Sequence, residues 1–143
     1  MPRRFTLVLA GALAIAVVSA SAQALHNPDS VVVAGLQVAK TVDGGRYAEV
    51  WESASSVMKK LSTKAAFVDM LTKSRQALGG AATGRIWIEV SRREFSGMPE
   101  LPAGTYSNVS YHTTFSNGKT ARELVSFRLD EDKNWRLAGY VID

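Results

Sequence analysis

The sequence contains no cysteine and only two histidines. Without cysteine the chain can form no disulfide, carry no lipid on an N-terminal cysteine and offer no thiolate to a metal. The histidines are isolated, since His26 lies in an N-terminal tail and His112 alternates with polar residues in a strand pattern, so we expect no zinc site. The sequence therefore predicts a domain that is stable through its apolar core alone and that uses no metal or other cofactor.

The chain also has little excess charge of either sign. Its 17 basic and 13 acidic side chains give a formal charge of +4. Two of the basic residues, Arg3 and Arg4, belong to the leader described next, and without them the excess is +2. A balance so close to neutral does not predict nucleic-acid binding.

The first 24 residues have the three parts of a secretory signal peptide. Arg3 and Arg4 follow the start, an apolar run covers residues 5–18, and residues 22–24 read Ala-Gln-Ala. An uncleaved anchor is the alternative, but polar residues interrupt the run before it reaches the ~20 residues that span a bilayer. We predict cleavage after Ala24, leaving residues 25–143 as one periplasmic or secreted domain without a membrane span.

Three helices are predicted in the first half of this domain, because apolar residues recur there at helical spacing. Tyr47 and Trp51 lie one turn apart on the second helix, so both are expected to face inward. The rest of the domain then covers this aromatic pair. The helices run from residue 31 to the glycines at 44 and 45, from 47 to 53, and from a cap at Ser62 or Thr63 to the glycines at 79 and 80.

After residue 80 the apolar period changes to two, which predicts strands over 84–95, 105–116, 119–129 and 135–142. In the first strand Ile86, Ile88 and Val90 are expected to face the core and Trp87 the less buried side. The dipeptide at residues 117 and 118, Asn-Gly, predicts a type I′ turn between the second and third strands. Helices followed by an antiparallel meander predict an α+β domain with three helices packed on one face of a curved four-stranded sheet.

Glu123 is the most informative polar residue, because strand alternation places it among core-facing apolar side chains. A carboxylate there needs partners or a shifted pKa. One hypothesis is a general acid or base in an apolar pocket, with Tyr111, Thr113 and Tyr140 as possible partners. The alternative is a structural carboxylate that bonds a helix N-terminus, a backbone amide or an arginine such as Arg46.

Aromatic side chains could line an apolar ligand pocket, although residues at such spacings more often belong to the core. Trp87 is different, because it alternates with charged residues, and an exposed aromatic side chain among charges indicates a contact surface. The candidate ligand-binding residues are Tyr47, Trp51, Tyr111, Glu123 and Tyr140.

Four segments in this order resemble a bacterial family known only as a domain of unknown function, DUF4019. They are VDGGRYAEVWESAS at 42–55, the helix that contains Phe67, the run 104–118, and WRLAGYVID at 135–143. The resemblance covers residues 31–143 and implies a compact relative of the NTF2-like, or cystatin-like, folds. Such folds serve isomerases, hydrolases, ligand binders and assembly domains, so the resemblance implies no catalytic residue.

The sequence leaves three functions open. The leading hypothesis is a non-enzymatic exported module that binds a small molecule or an envelope protein, through the sheet–helix pocket or the outer face of the sheet. The second is an NTF2-like enzyme with Glu123 as general acid or base, which would need a cavity on the order of several hundred Å³ around that residue. The third is a self-associating module, such as a homodimer.

Overall fold

The computed structural model describes residues 25–143, so the predicted signal peptide and its cleavage site at Ala24 lie outside the described residues. Helices precede an antiparallel four-stranded sheet, which confirms the α+β class. None of the described helices is long and apolar enough to cross a membrane. The elements are α1 (Pro28–Asp43), α2 (Tyr47–Glu52), α3 (Ser56–Leu61), α4 (Lys64–Leu78), β1 (Ala82–Phe95), β2 (Gly104–Phe115), β3 (Thr120–Leu129) and β4 (Trp135–Ile142).

Helix α1 begins three residues earlier than the sequence predicts, because Asn27 caps it. The Asn27 side chain accepts a hydrogen bond from the backbone N–H of Ser30 at 2.8 Å, and the Ser30 hydroxyl accepts one from the backbone N–H of Asn27 at 3.3 Å. This reciprocal pair satisfies two backbone donors, and Pro28 fits the first helical position because it has no N–H to leave unpaired. The buried face consists of Val31, Gly35, Ala39 and Val42.

Helix α3 is one helix more than the sequence predicts. It starts where the Ser55 hydroxyl accepts a hydrogen bond from the backbone N–H of Val57 at 3.3 Å, as N-cap serines do. Its six residues bury Val57 and Met58, but a helix of this length is too short to show a clear apolar period. The Trp51 indole of α2 donates to the Ser62 carbonyl at 2.9 Å, which holds α2 against the end of α3.

The sheet has the order β1-β2-β3-β4, with each strand antiparallel to the next, as the meander prediction requires. The predicted type I′ turn is wrong, because only one of the two turn residues, Gly118, has a positive φ, of 82°. The Asn117 amide donates to the Leu78 carbonyl at 2.6 Å, which ties the turn to the end of α4. The turn is therefore a three-residue loop, with the Phe115 N–H bonded to the Lys119 carbonyl at 2.9 Å.

A bulge in β1 corrects the predicted orientation of this strand. Trp87 pairs with Tyr111 and Glu89 with Ser110, so Ile88 is an extra residue without a partner. Before the bulge the alternation is reversed, and Arg85 points toward the helices while Ile86 and Ile88 are 65% and 53% exposed. The prediction that Ile86 and Ile88 face the core is wrong; Val90, beyond the bulge, does pack against it.

The core forms where α1 crosses the sheet at Gly35. A methyl group added at Gly35 would lie 2.5 Å from the Tyr111 hydroxyl and closer still to a Val109 methyl. The Tyr111 hydroxyl in turn donates to the Val32 carbonyl of α1 at 2.5 Å. The backbone of α1 is thus in direct contact with side chains of the sheet. The buried apolar side chains around this crossing include Val31, Val42, Phe67, Leu71, Val109, Val125 and Phe127.

We expect Gly35→Ala to lower the free energy of unfolding by about 1–2 kcal/mol, because overpacking at the crossing costs up to ~3 kcal/mol and outweighs the ~1 kcal/mol that alanine gains over glycine in a helix. Gly84→Ala is the matched control, since its added methyl group would have its nearest neighbour at 4.0 Å. Urea unfolding of both variants measures the difference. A Gly35 variant as stable as the Gly84 variant would contradict the close crossing.

Candidate functional site

Glu123 has no exposed surface and both of its carboxylate oxygens are bonded. Oε1 accepts hydrogen bonds from Nε of Arg85 at 2.8 Å and from the hydroxyl of Thr113. Oε2 accepts one from the hydroxyl of Tyr140. Two of the partners predicted for this residue, Thr113 and Tyr140, are therefore present, and an arginine completes the set as the structural alternative expected, although it is not Arg46.

Arg85 links this carboxylate to the end of α1. Its two terminal nitrogens each lie 3.0 Å from an oxygen of Asp43, in a bidentate pair, while its Nε serves Glu123. Arg75 of α4 adds a second cation, with NH2 3.6 Å from Asp43 Oδ1 and its guanidinium 4.8 Å from the centre of the Phe115 ring. The four charged residues Asp43, Arg75, Arg85 and Glu123 are referred to below as the central ion network.

The local sequence explains why these groups meet. Asp43 is the last residue of α1, where the helix dipole favours the two arginines beside it. The bulge at Ile88 turns Arg85 to the helix side of the sheet, where it pairs across the strands with Thr113. Thr113 and Glu123 lie on neighbouring strands of the same face. Each charged side chain of the network is thus positioned by the helix or strand to which it belongs.

The pKa values of Arg85 and of two neighbouring tyrosines are raised, which keeps the arginine charged and the tyrosines protonated. Burial lowers the pKa of Arg85, but its hydrogen bonds to Asp43 and Glu123 and the charges of both carboxylates raise it above the ordinary value. Burial raises the pKa of Tyr140, and the charge of Glu123 raises it further. Burial likewise raises the pKa of Tyr111. The tyrosines are neutral donors and the arginine a permanent cation near neutral pH.

The five candidate ligand-binding residues do not form one pocket. Glu123 and Tyr140 are bonded to each other, and Tyr111 is the cross-strand partner of Glu123, but its hydroxyl bonds α1 instead. Tyr47 and Trp51 are half-buried at the edge of the core, and the Trp51 ring lies 5.2 Å from the Lys59 ammonium.

Arg46, considered as a partner of Glu123, instead forms an exposed pair with Glu49 at 3.2 Å. It belongs to the surface of α2 and takes no part in the central ion network. Arg85 fills the expected role, although the predicted alternation of β1 would place it on the opposite face, together with Trp87. The bulge at Ile88 turns the Arg85 side chain to the helix side of the sheet, and regular strand alternation does not predict that bulge.

Two cavities lie elsewhere on the domain. One of about 180 Å³ is at the start of α1, where His26, Val31, Val90 and Arg92 contribute to its walls. The other, of about 360 Å³, lies between α3 and the turn after β3. Neither is lined by Glu123 or by the aromatic candidates.

A second ion cluster, not predicted from the sequence, borders the larger cavity. Asp130 is 7% exposed and accepts hydrogen bonds from Ser55 at 2.7 Å, Arg128 at 3.0 Å and Arg136 at 3.1 Å. A polar turn normally indicates solvated side chains, so the sequence carries no signal for this contact. Among residues 25–143 no group of three or more histidine, aspartate or glutamate residues is placed to hold a metal ion.

The geometry defines a small α+β domain in which helices cover one face of a meander and bonded charges lie between the two layers. The chain matches the family described as a protein of unknown function (DUF4019) over residues 34–140, and it belongs to that family. The matched segment contains the whole central ion network and ends at Tyr140. No curated protein and no solved structure matches the chain.

We expect Glu123→Gln to lower the free energy of unfolding by about 3 kcal/mol, because it leaves the buried Arg85 with one carboxylate fewer. Glu49→Gln is the control, since Glu49 and Arg46 form an exposed pair of a kind that contributes at most about 1 kcal/mol. Urea unfolding at neutral pH measures both. Equal losses in the two variants would contradict the structural role of Glu123.

Alkaline pH should destabilise the protein through Tyr140. The unfolded tyrosine ionises near pH 10, whereas the folded one, with its raised pKa, keeps its proton. The folded state then holds more protons, so its stability falls above pH ~10, by ~1.4 kcal/mol per pH unit for one such group.

Tyr140→Phe removes that group, and we expect its stability to fall less steeply with pH than that of the unaltered protein. Below pH ~9 the free energies of unfolding of the two proteins should differ by a constant amount, since Tyr140 is then protonated in both the folded and the unfolded state. Urea unfolding between pH 8 and 11 measures the slopes. Parallel curves throughout would show that Tyr140 is not shielded in the folded state.

Proposed function

We propose that this protein is an exported, non-enzymatic module of the cell envelope that binds another protein through strand β1. The observation that carries the proposal is the exposure of three consecutive large apolar side chains on this strand. Ile86, Trp87 and Ile88 are 65%, 58% and 53% exposed. Residues 86–88 are referred to below as the β1 apolar segment. Adjacent exposed apolar side chains of this size are typical of contact surfaces.

The position of β1 in the sheet supports this role. Within residues 25–143 it is an edge strand of 14 residues that pairs with β2 alone, so its other side offers backbone donors and acceptors to a further strand. The opposite edge, β4, is partly covered among the described residues, because the Ser55 N–H donates to the Leu137 carbonyl at 2.8 Å. β1 is therefore the better surface for a partner.

The state of Glu123 supports binding rather than catalysis. A general acid or base must come within hydrogen-bonding reach of a substrate proton, whereas this carboxylate is fully buried and has partners on both oxygens. A substrate would have to displace Arg85, Thr113 or Tyr140 to reach it. The network instead holds the helices on the sheet, which leaves β1 and the outer face free to bind.

Export is the part of the proposal that rests on the sequence alone. The leader with its Ala-Gln-Ala ending supports delivery to the envelope, with Leu25 as the first residue after cleavage. A chain without cysteine suits an oxidising compartment, because it cannot form incorrect disulfides there.

A photoreactive amino acid at position 87 tests the binding surface in cells that express the full chain. We expect a discrete protein adduct in the envelope fraction, because a bound strand would lie against Trp87. The mass of the unreacted protein in the same fraction reports whether cleavage occurred after Ala24.

The control carries the same photoreactive group at Lys60, an exposed residue of α3. An adduct at position 87 that is absent at position 60 supports the proposal. No adduct at position 87, or the same adduct at both positions, would refute β1 as the binding surface.

A further inference from the structure

Beyond its bulge, β1 carries an unpaired carboxylate and an unpaired guanidinium on one face. Glu89, Ser91 and Arg93 alternate along the strand and share the outer face of the sheet, away from the helices. Glu89 and Arg93 are exposed, and neither forms an ion pair with another residue of the described part. The two charges therefore lie at equal distances on either side of Ser91, with no partner in their own sheet.

The equal spacing of Glu89 and Arg93 from Ser91 becomes significant if β1 pairs with β1 of a second copy of the chain. In an antiparallel pair about a two-fold axis, residues at equal distances from the axis face each other on the same side of the sheet. An axis at Ser91 places Glu89 opposite Arg93 of the second copy, twice. An axis at Val90 places Glu89 opposite serine, and axes at Arg92 or Arg93 place an arginine opposite itself, which is destabilising.

We propose that the partner of β1 is a second copy of this chain, paired antiparallel about a two-fold axis at Ser91. This inference rests on the proposed function and names the partner at the same surface. The two sheets join into one of eight strands, with a Glu89–Arg93 pair on each side of the axis. The β1 apolar segment then lies beside residues 94–96 of the second copy, where Phe95 offers it an apolar neighbour.

The bulge at Ile88 fits this arrangement. It interrupts the regular alternation at Ile88, so residues 89–95 form the regular part of β1 and Ser91 lies within it. The same bulge turns the strand, which limits pairing to a short, specific register. The second copy thus covers an edge that would otherwise remain open to unspecific pairing.

Charge exchange tests the register. Glu89→Arg and Arg93→Glu each place like charges in both pairs, so each variant should weaken self-association by about tenfold or more. The double variant restores opposite charges and should recover the dimer. A mixture of the two single variants should form heterodimers, because each then meets a complementary copy. Sedimentation of protein purified from cells that express the full chain measures all four cases.

Glu100→Arg is the control for net charge, since Glu100 is exposed in the loop between β1 and β2; it should leave self-association unchanged. A cysteine-free chain also allows a geometric test. In Ser91→Cys the two cysteines face each other within disulfide range, so mild oxidation should give a covalent dimer. In Glu94→Cys they lie ~20 Å apart at three residues from the axis on each strand, and no rapid cross-link is expected.

A monomer at high concentration, a double variant that fails to recover the dimer, or cross-linking of Glu94→Cys as fast as Ser91→Cys would overturn the inference. The photoreactive group at position 87 separates this failure from that of the proposed function. A monomeric protein that still forms an adduct with a different envelope protein would overturn only the second copy as partner. A monomer without any adduct would overturn both.

Discussion

The guanidinium of Arg85 is the contact on which the arrangement of the layers depends. It bonds Asp43 at the end of α1 and Glu123 in β3 at the same time, so helix and sheet are joined by one planar group with fixed geometry. A shift of α1 along the sheet would leave a buried carboxylate or the arginine without a partner, which costs several kcal/mol. The bidentate geometry of this contact therefore favours one position of α1 on the sheet.

A buried ion network of this kind adds little to net stability. Removing charges from water costs about as much as their mutual attraction returns, and here neutral donors from Thr113 and Tyr140 complete the shell of Glu123. The same residues would suit a catalytic carboxylate if they faced a cavity. Their burial gives them a positioning role, and the recognition surface that we propose is the edge of the sheet instead.

Much of this arrangement could be predicted from the sequence, because its signals are local. Alternation placed Glu123 inside and predicted the bounds of β4 correctly, and the family resemblance is confirmed. The partner Arg85 could not be found, since one unpaired residue at Ile88 reverses the faces of half a strand and leaves no mark in composition. Helix α3 was missed for a related reason: tertiary contacts, through Ser55 and Asp130, hold it in place.

The hydrogen bond from Tyr111 to the Val32 carbonyl has a consequence for motion. It joins a sheet side chain to the backbone of α1 next to the tight crossing at Gly35, so α1 and the central strands should move as one rigid block. Local opening then begins in the six-residue helices α2 and α3, whose amides should exchange with solvent deuterium long before those of β2.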